Sequence, residues 1–369
     1  MMHMDSVESA DGRLGAVLSA PRSGAVPLGR HGPWLAASPA LARSVLTDPG
    51  SYDFPGDVSR SGDLSGSTGD TRSGHLTFAA LTPAQVSTGT TVFDDEWRAA
   101  LADHVRSAPA EAYDAMVLLR RPVARSTVAA VLPGLSVARR DDLADRSLAW
   151  IDSLAPVIAA ARPPRRWSRV RRSERDARFA LEDALAATND LAATPAEVAT
   201  MLAAGIQVPI AAGAWLLAFL AVHPTSVADP VHAVWETLRL TPPTWVTARV
   251  TTREVALGAE SLPAGAVVLV SPLLLGRCPD LVPGDPDGLA DFDPQRWRDP
   301  TKRPGAWLPF GAGPHACPGR NLGLAQLTRL AAWVNAHQIT LSEHVSIDQS
   351  RGIAPQPCRF TVAGRREAP

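Results

Sequence analysis

A single cysteine, Cys317, sits in the run Phe310-Gly311-Ala312-Gly313-Pro314-His315-Ala316-Cys317-Pro318-Gly319, framed by glycines and followed at once by a helix-forming stretch. No other feature constrains the chain so strongly, because this arrangement presents a thiolate at a tight turn. Gly311 and Gly313 allow the backbone to turn and to approach a flat ligand without a Cβ clash. A helix beginning near Pro318, with the proline in its first position, turns its positive end toward the sulfur and favours the charged form. Three cysteines in 369 residues, with no paired spacing, fit neither a disulfide scaffold nor a tetrahedral zinc site. Taken alone, Cys317 reads first as a small buried hydrophobe at a loop–helix junction.

The chain is long enough to enclose a prosthetic group in one sizeable core, and residues 1–369 are read as a single domain. A formal net charge of -1 exerts no global pull toward nucleic acid or membrane, so partners must be argued from local patches. Met1 to Gly15 is polar and acidic, and no apolar stretch near it reaches the ~20 residues that cross a bilayer. The expectation is a cytoplasmic protein with no nucleic-acid or membrane partner.

Trp34-Leu35-Ala36 reads as a strand, and a short helix should run from Ser38 to Asp48. Ser51 to Gly74, rich in Gly, Ser, Asp and Arg, reads as a long loop. Helical patterning resumes at Asp94, with Trp97, Leu101 and Val105 at i, i+4 and i+8, and continues with breaks to Ala161. Arg162 to Arg178 carries eight arginines around Trp167. The segment is either a solvated helix face or a docking patch for an acidic substrate or partner. Thr194-Pro195-Ala196-Glu197 is a capping box that should open a helix running to Ala221, apolar nearly all round and hence buried. A further helix, ending at Thr241-Pro242-Pro243, holds Glu236 and Arg239 one turn apart. Arg249, the strand-like Val267-Val268-Leu269-Val270 and the run Phe292-Asp293-Pro294-Gln295-Arg296-Trp297 follow it.

Phe-x-x-Gly-x-His-x-Cys-x-Gly is the haem-binding signature of the cytochromes P450, and Phe310 to Gly319 resembles it at each diagnostic position. The resemblance extends over most of the chain from Trp34 onward. It implies a mainly α fold, a helical bundle around haem with small β-sheets. It implies Cys317 as the axial ligand of haem b (iron protoporphyrin IX), cradled by Phe310, Gly311 and Gly319. Arg249 and His315, with Trp97 as a third contact, should hydrogen-bond the haem propionates. Glu236, Arg239 and Arg296 should form a structural ion network. The implied chemistry is oxidation by dioxygen with electrons from a ferredoxin-type donor, the thiolate favouring O–O cleavage.

Two departures refine the reading. Where the family usually shows Ala-Gly-x-acid-Thr, this chain has Ala204-Gly205-Ile206-Gln207-Val208-Pro209, so the groove residues Gly205, Gln207 and Val208 lack the usual proton relay. Pro209 has no N–H for the Gly205 carbonyl, which should leave that carbonyl free and bend the helix. The stretch from Arg162 to Gly205 also stands where the family holds two long roof helices, so the roof helices are shortened and the pocket should be open. Together these point to a substrate whose own carboxyl group delivers the proton, either a modified peptide or a small molecule, with oxidative decarboxylation as the favoured reaction. The combination is similar to the compact peptide-tailoring type found in bottromycin pathways. The alternatives are a conventional monooxygenase hydroxylating a small secondary metabolite, a peroxide-driven peroxygenase, and a catalytically silent haem protein.

Overall fold

The structure, a computed structural model, describes residues 4–54, 77–107, 111–160, 164–165, 167–188, 191, 193–224, 229–349 and 352–365. Among them lie eleven α-helices: α1 (Gly12–Leu18), α2 (Pro39–Thr47), α3 (Pro83–Ser107), α4 (Ala115–Leu118), α5 (Arg120–Val131), α6 (Val137–Ala159), α7 (Arg169–Ala186), α8 (Pro195–Val222), α9 (Pro230–Leu240), α10 (Pro272–Leu275) and α11 (Arg320–Asn335). The strands are short: β1 (Ala25–Pro27), β2 (Trp34–Ala36), β3 (Tyr52–Asp53), β4 (Tyr113–Asp114), β5 (Thr247–Thr251), β6 (Val255–Leu257), β7 (Glu260–Leu262), β8 (Val267–Val270), β9 (His337–Leu341), β10 (Ile347–Asp348), β11 (Ala354–Pro355) and β12 (Arg359–Arg365). The expected mainly α architecture with small sheets is what forms. Two compact units share the chain, one drawn from Met1–Asp5, Ala80–Val234 and Gly319–Pro369, the other from Ser6–Ala79 and Trp235–Pro318.

The first unit is helical and is built around α8, which packs against α4, α5, α6, α7 and α11. The capping box that opens α8 is formed as read: the Thr194 side chain accepts from the Glu197 N–H while Glu197 accepts from the Thr194 N–H. By length and composition α8 could cross a membrane, but 67% of its most apolar 18-residue window is buried in the protein, as befits a core helix. Burial on every side holds only for its C-terminal half, from Ile210 to Leu220; Ala204 and Val208 are exposed, and Met201, Gly205 and Gln207 are half-buried. Between α6 and α8 the described residues form one helix, α7, in the span read as shortened.

Helix α3 begins at Pro83, not at Asp94. Its start is a second capping box, in which the Thr82 N–H donates to Gln85 Oε1 (2.9 Å) and the Gln85 N–H to Thr82 Oγ1 (3.3 Å). Threonines and a glycine occupy the first turns and hide the apolar period there, and Gly89 is needed because a Cβ would lie 2.9 Å from that of Ala130 on α5. Glu96 on α3 then ties three helices together: Arg125 of α5 donates to it at 2.9 Å, Arg140 of α6 at 3.0 Å, and Arg121 lies at 3.1 Å.

The second unit carries a five-stranded sheet in the order β1-β2-β8-β5-β3, antiparallel except for the β2–β8 pair. The sheet includes part of the segment read as loop: Tyr52 and Asp53 pair with Thr251 and Val250. Residues 55–74 of that segment lie outside the described residues, as do Arg162, Pro163 and Arg166 of the arginine-rich stretch. The strand at Trp34–Ala36 and the helix capped by Ser38 form as read.

The core of this unit is a buried carboxylate. Glu236, fully buried on α9, accepts from Arg239 Nε (2.9 Å) and Nη2 (2.6 Å), Arg296 Nε (2.8 Å), Trp297 Nε1 (2.9 Å) and the Asp293 N–H (3.1 Å). The remaining guanidinium donors go to backbone carbonyls, Arg239 to Gly276 and Leu289, Arg296 to Pro283 and Gly288. A buried ion network adds little net stability when complete, but removing one partner strands the others in low dielectric. Glu236→Gln should therefore lower unfolding free energy by about 3–5 kcal/mol, read as a fall in urea midpoint with an unchanged m-value.

Candidate functional site

The Cys317 loop is a succession of turns. The Leu308 N–H donates to the Gly305 carbonyl, Gly311 to Leu308, Ala316 to Gly313 and Cys317 to Phe310, the last at 2.9 Å. Positive φ recurs at Gly305, Leu308, Gly311 and Gly313. Gly313 is doubly required, because its φ is +70° and a Cβ there would lie 2.6 Å from the Leu46 carbonyl oxygen at the end of α2. The loop is seated on aromatic rings: Phe310 meets Trp235 edge-on at 6.2 Å, Trp235 meets Trp307 at 5.9 Å, and Trp307 lies 5.0 Å from Trp297, whose N–H binds Glu236.

Cys317 is exposed, whereas Cys278 and Cys358 are buried. Burial pushes the Cys358 thiol up to about 12, with Asp114 and Glu343 adding to the effect, so it stays protonated. The three cysteines are thus separated by environment, with one accessible sulfur at the head of the glycine loop. The helix after it starts two residues later than read. Pro318 precedes the N-cap Gly319, and α11 opens at Arg320. The reason is local: Gly319 (φ -89°, ψ 8°) supplies the half-helical cap, and a Cβ on it would meet no atom within 4 Å.

Arg249 lies on β5, 4% exposed, its Nη1 donating to Thr247 Oγ1 (3.2 Å) and to the Ala248 carbonyl (2.9 Å). Burial pushes its guanidinium below the usual arginine range, while the Asp53 carboxylate works the other way. Arg249 and His315 are brought together by a residue that the sequence reading passed over. The ring of Phe54 lies 4.0 Å beneath the Arg249 guanidinium carbon and 4.9 Å from the His315 ring, edge to face. The signal was the register of β3, visible only once its pairing with β5 is known.

Trp97, Gly205, Gln207 and Val208 belong to the helical unit. Trp97 on α3 is buried against Trp333 (5.2 Å, edge to face), and among the described residues its Nε1 has no hydrogen-bond partner. A buried indole N–H left over in this way can take a partner outside the described residues, an ordered water included. On α8 the stripe formed by Met201, Ala204, Gly205, Gln207 and Val208 carries no titratable group.

The Gly205 carbonyl is not free. Pro209 removes its intrahelical donor, and Thr127 of α5, 2% exposed, supplies one in its place: Thr127 Oγ1 donates to the Gly205 carbonyl at 3.3 Å. Helix α8 runs on through Pro209 unbroken. Gly205 is small for the same reason, since a Cβ would sit 3.1 Å from Thr127 Cγ2.

A family model described as Cytochrome P450 matches residues 231–335, which hold the Glu236 network, Arg249 and the Cys317 loop. Over this stretch the chain is similar to the cytochrome P450 family. Among curated relatives, cyclooctat-9-en-7-ol 5-monooxygenase of Streptomyces melanosporofaciens is 34% identical over 37% of this chain and 35% of its own. Cyclooctatin synthase of the same organism is 43% identical over 25% of this chain and 20% of its own. The matched stretch thus spans about a third or less of these relatives. The fold matches the crystal structure of CYP175A1 from Thermus thermophilus with a TM-score of 0.73 at 22% identity, covering 96% of this chain and 95% of that one. A six-coordinated cytochrome P450 from another strain of Thermus thermophilus matches with a TM-score of 0.66 at 21% identity, covering 90% and 92%.

The residues of the second unit fit a haem-thiolate cofactor on their own chemistry, through one exposed cysteine in a glycine loop and a desolvated arginine. Among the described residues no cluster of three or more His, Cys, Asp or Glu side chains could hold a metal without such a cofactor. Thr127→Val should strand the Gly205 carbonyl and cost about 1–3 kcal/mol, whereas Thr127→Ser should keep most of the stability. Thermal unfolding of the three proteins checks this.

Proposed function

We propose that this protein is a haem-thiolate oxidoreductase that tailors a natural product in the cytoplasm, drawing electrons from a ferredoxin-type donor. The observation that carries the proposal is Cys317, the accessible thiol of the three, at the end of a loop whose turns leave no choice of backbone path. Cys317 would ligate the iron of haem b, with Phe310, Gly311 and Gly319 lining the approach. Arg249 and His315 would bind the cofactor's carboxylates, and the Trp97 N–H is a third donor that the family resemblance assigns to them. When bound, haem supplies the activation of dioxygen, which the thiolate ligand promotes.

The chain's own part is to hold the substrate and to manage protons. Gln207 and Val208 can neither release nor relay a proton, and the stripe they share on α8 offers no titratable neighbour. Thr127 spends its hydroxyl on the Gly205 carbonyl. A proton must then come from water or from the substrate, and a substrate carboxyl group meets the need most directly. Arginines exposed on α7, Arg169 and Arg172, suit an anionic substrate. These features favour a substrate bearing a carboxylate, with a modified peptide and oxidative decarboxylation as the specific proposal.

A second reading rests on the relatives. One is named for 5-monooxygenation of cyclooctat-9-en-7-ol and the other for cyclooctatin synthesis, so hydroxylation of a small secondary metabolite is the competing assignment. The two separate in a spectral titration of the ferric protein. Carboxylate-bearing peptides should displace the iron-bound water, and their amide counterparts should bind at least tenfold more weakly. A spectral shift with small neutral molecules and none with peptides would overturn the peptide proposal and favour hydroxylation.

A further inference from the structure

Phe54 follows β3, whose register pairs Tyr52 with Thr251 and Asp53 with Val250. Continuing that antiparallel register by one residue sets Phe54 opposite Arg249. The cross-strand placement accounts for the observed stack, with the guanidinium carbon 4.0 Å from the ring centroid. The edge of the same ring meets His315 at 4.9 Å and 80°, so one side chain touches both a residue of the sheet and a residue two positions before Cys317. Phe54 is nevertheless 40% exposed, too open for a core residue. Its contacts, rather than its burial, account for its presence.

We infer that Phe54 is a positioning residue for the cofactor's carboxylates, fixing Arg249 and His315 in one arrangement so that both can donate to the same group. The inference rests on the haem reading of the Cys317 loop. The physical basis is entropy. Arginine carries much rotamer freedom, and a donor already held flat against a ring loses less on binding a carboxylate than one that must first be ordered. A ring quadrupole attracts the guanidinium without competing for its N–H groups, because the contact is through the flat face. A carboxylate in the place of Phe54 would instead consume those donors. An aliphatic side chain of similar size would fill the space but would not hold the cation, which separates this role from simple packing.

The test is the rate of haem loss from the ferric protein to excess apomyoglobin, for wild type, Phe54→Leu, Phe54→Ala and Phe54→Tyr. Leu and Ala should both release haem about three- to tenfold faster than wild type, given what a cation–π contact contributes. Tyr, which keeps the ring, should stay within about twofold of wild type by the same reasoning. All four should unfold at similar temperature without haem, since an exposed side chain contributes little to the fold. Equal rates for wild type and Leu would overturn the positioning role while leaving the haem reading intact. Failure of the wild type to take up haem at all would remove the haem reading, and this inference with it.

Discussion

One buried carboxylate organises the part of the protein that bears the reactive sulfur. Glu236 takes five hydrogen bonds from Arg239, Arg296, Trp297 and the Asp293 backbone, and has no solvent to turn to if any is lost. The network does more than neutralise charge. Through Trp297 it reaches Trp307, then Trp235, then Phe310, whose carbonyl accepts the Cys317 N–H. The position of the cysteine backbone is therefore set by rings that rest on an ion network, all within one compact unit. Close packing of this kind passes a disturbance along with little relaxation.

Much of this was legible in the sequence, and for stated reasons. The cysteine loop was readable because glycine is required where φ is positive or backbones touch, as at Gly313, and those requirements leave a fixed pattern. Helix α8 was readable because Thr194 and Glu197 form a capping box at its start. The same logic would have found the start of α3, since Thr82-Pro83-Ala84-Gln85 repeats the motif almost letter for letter. Its polar first turns masked the apolar period that drew attention to Asp94. Phe54 was not readable, because its partners are 195 and 261 positions away in sequence and meet it only through the pairing of β3 with β5. The Thr127 hydroxyl was hidden for the same reason: proline removes a donor locally, but the replacement comes from another helix.

The departures from the family pattern share one consequence. The alcohol expected on α8 is replaced by Val208, the acid by Gln207, and the hydroxyl that does approach, from Thr127, is committed to a backbone carbonyl. A helix that would ordinarily carry a proton relay has become one whose open stripe is chemically inert. On the function proposed above, the proton is brought in by another species.

The central claim, that the Cys317 thiolate is the ligand of a haem iron, is tested most directly by the spectrum of the reduced protein under carbon monoxide. Wild type reconstituted with haem should show the red-shifted Soret band of thiolate ligation, and Cys317→Ser should lose it while still binding pigment. A wild-type protein that stays colourless, or a reduced carbonyl spectrum that is the same for wild type and Cys317→Ser, would contradict the account.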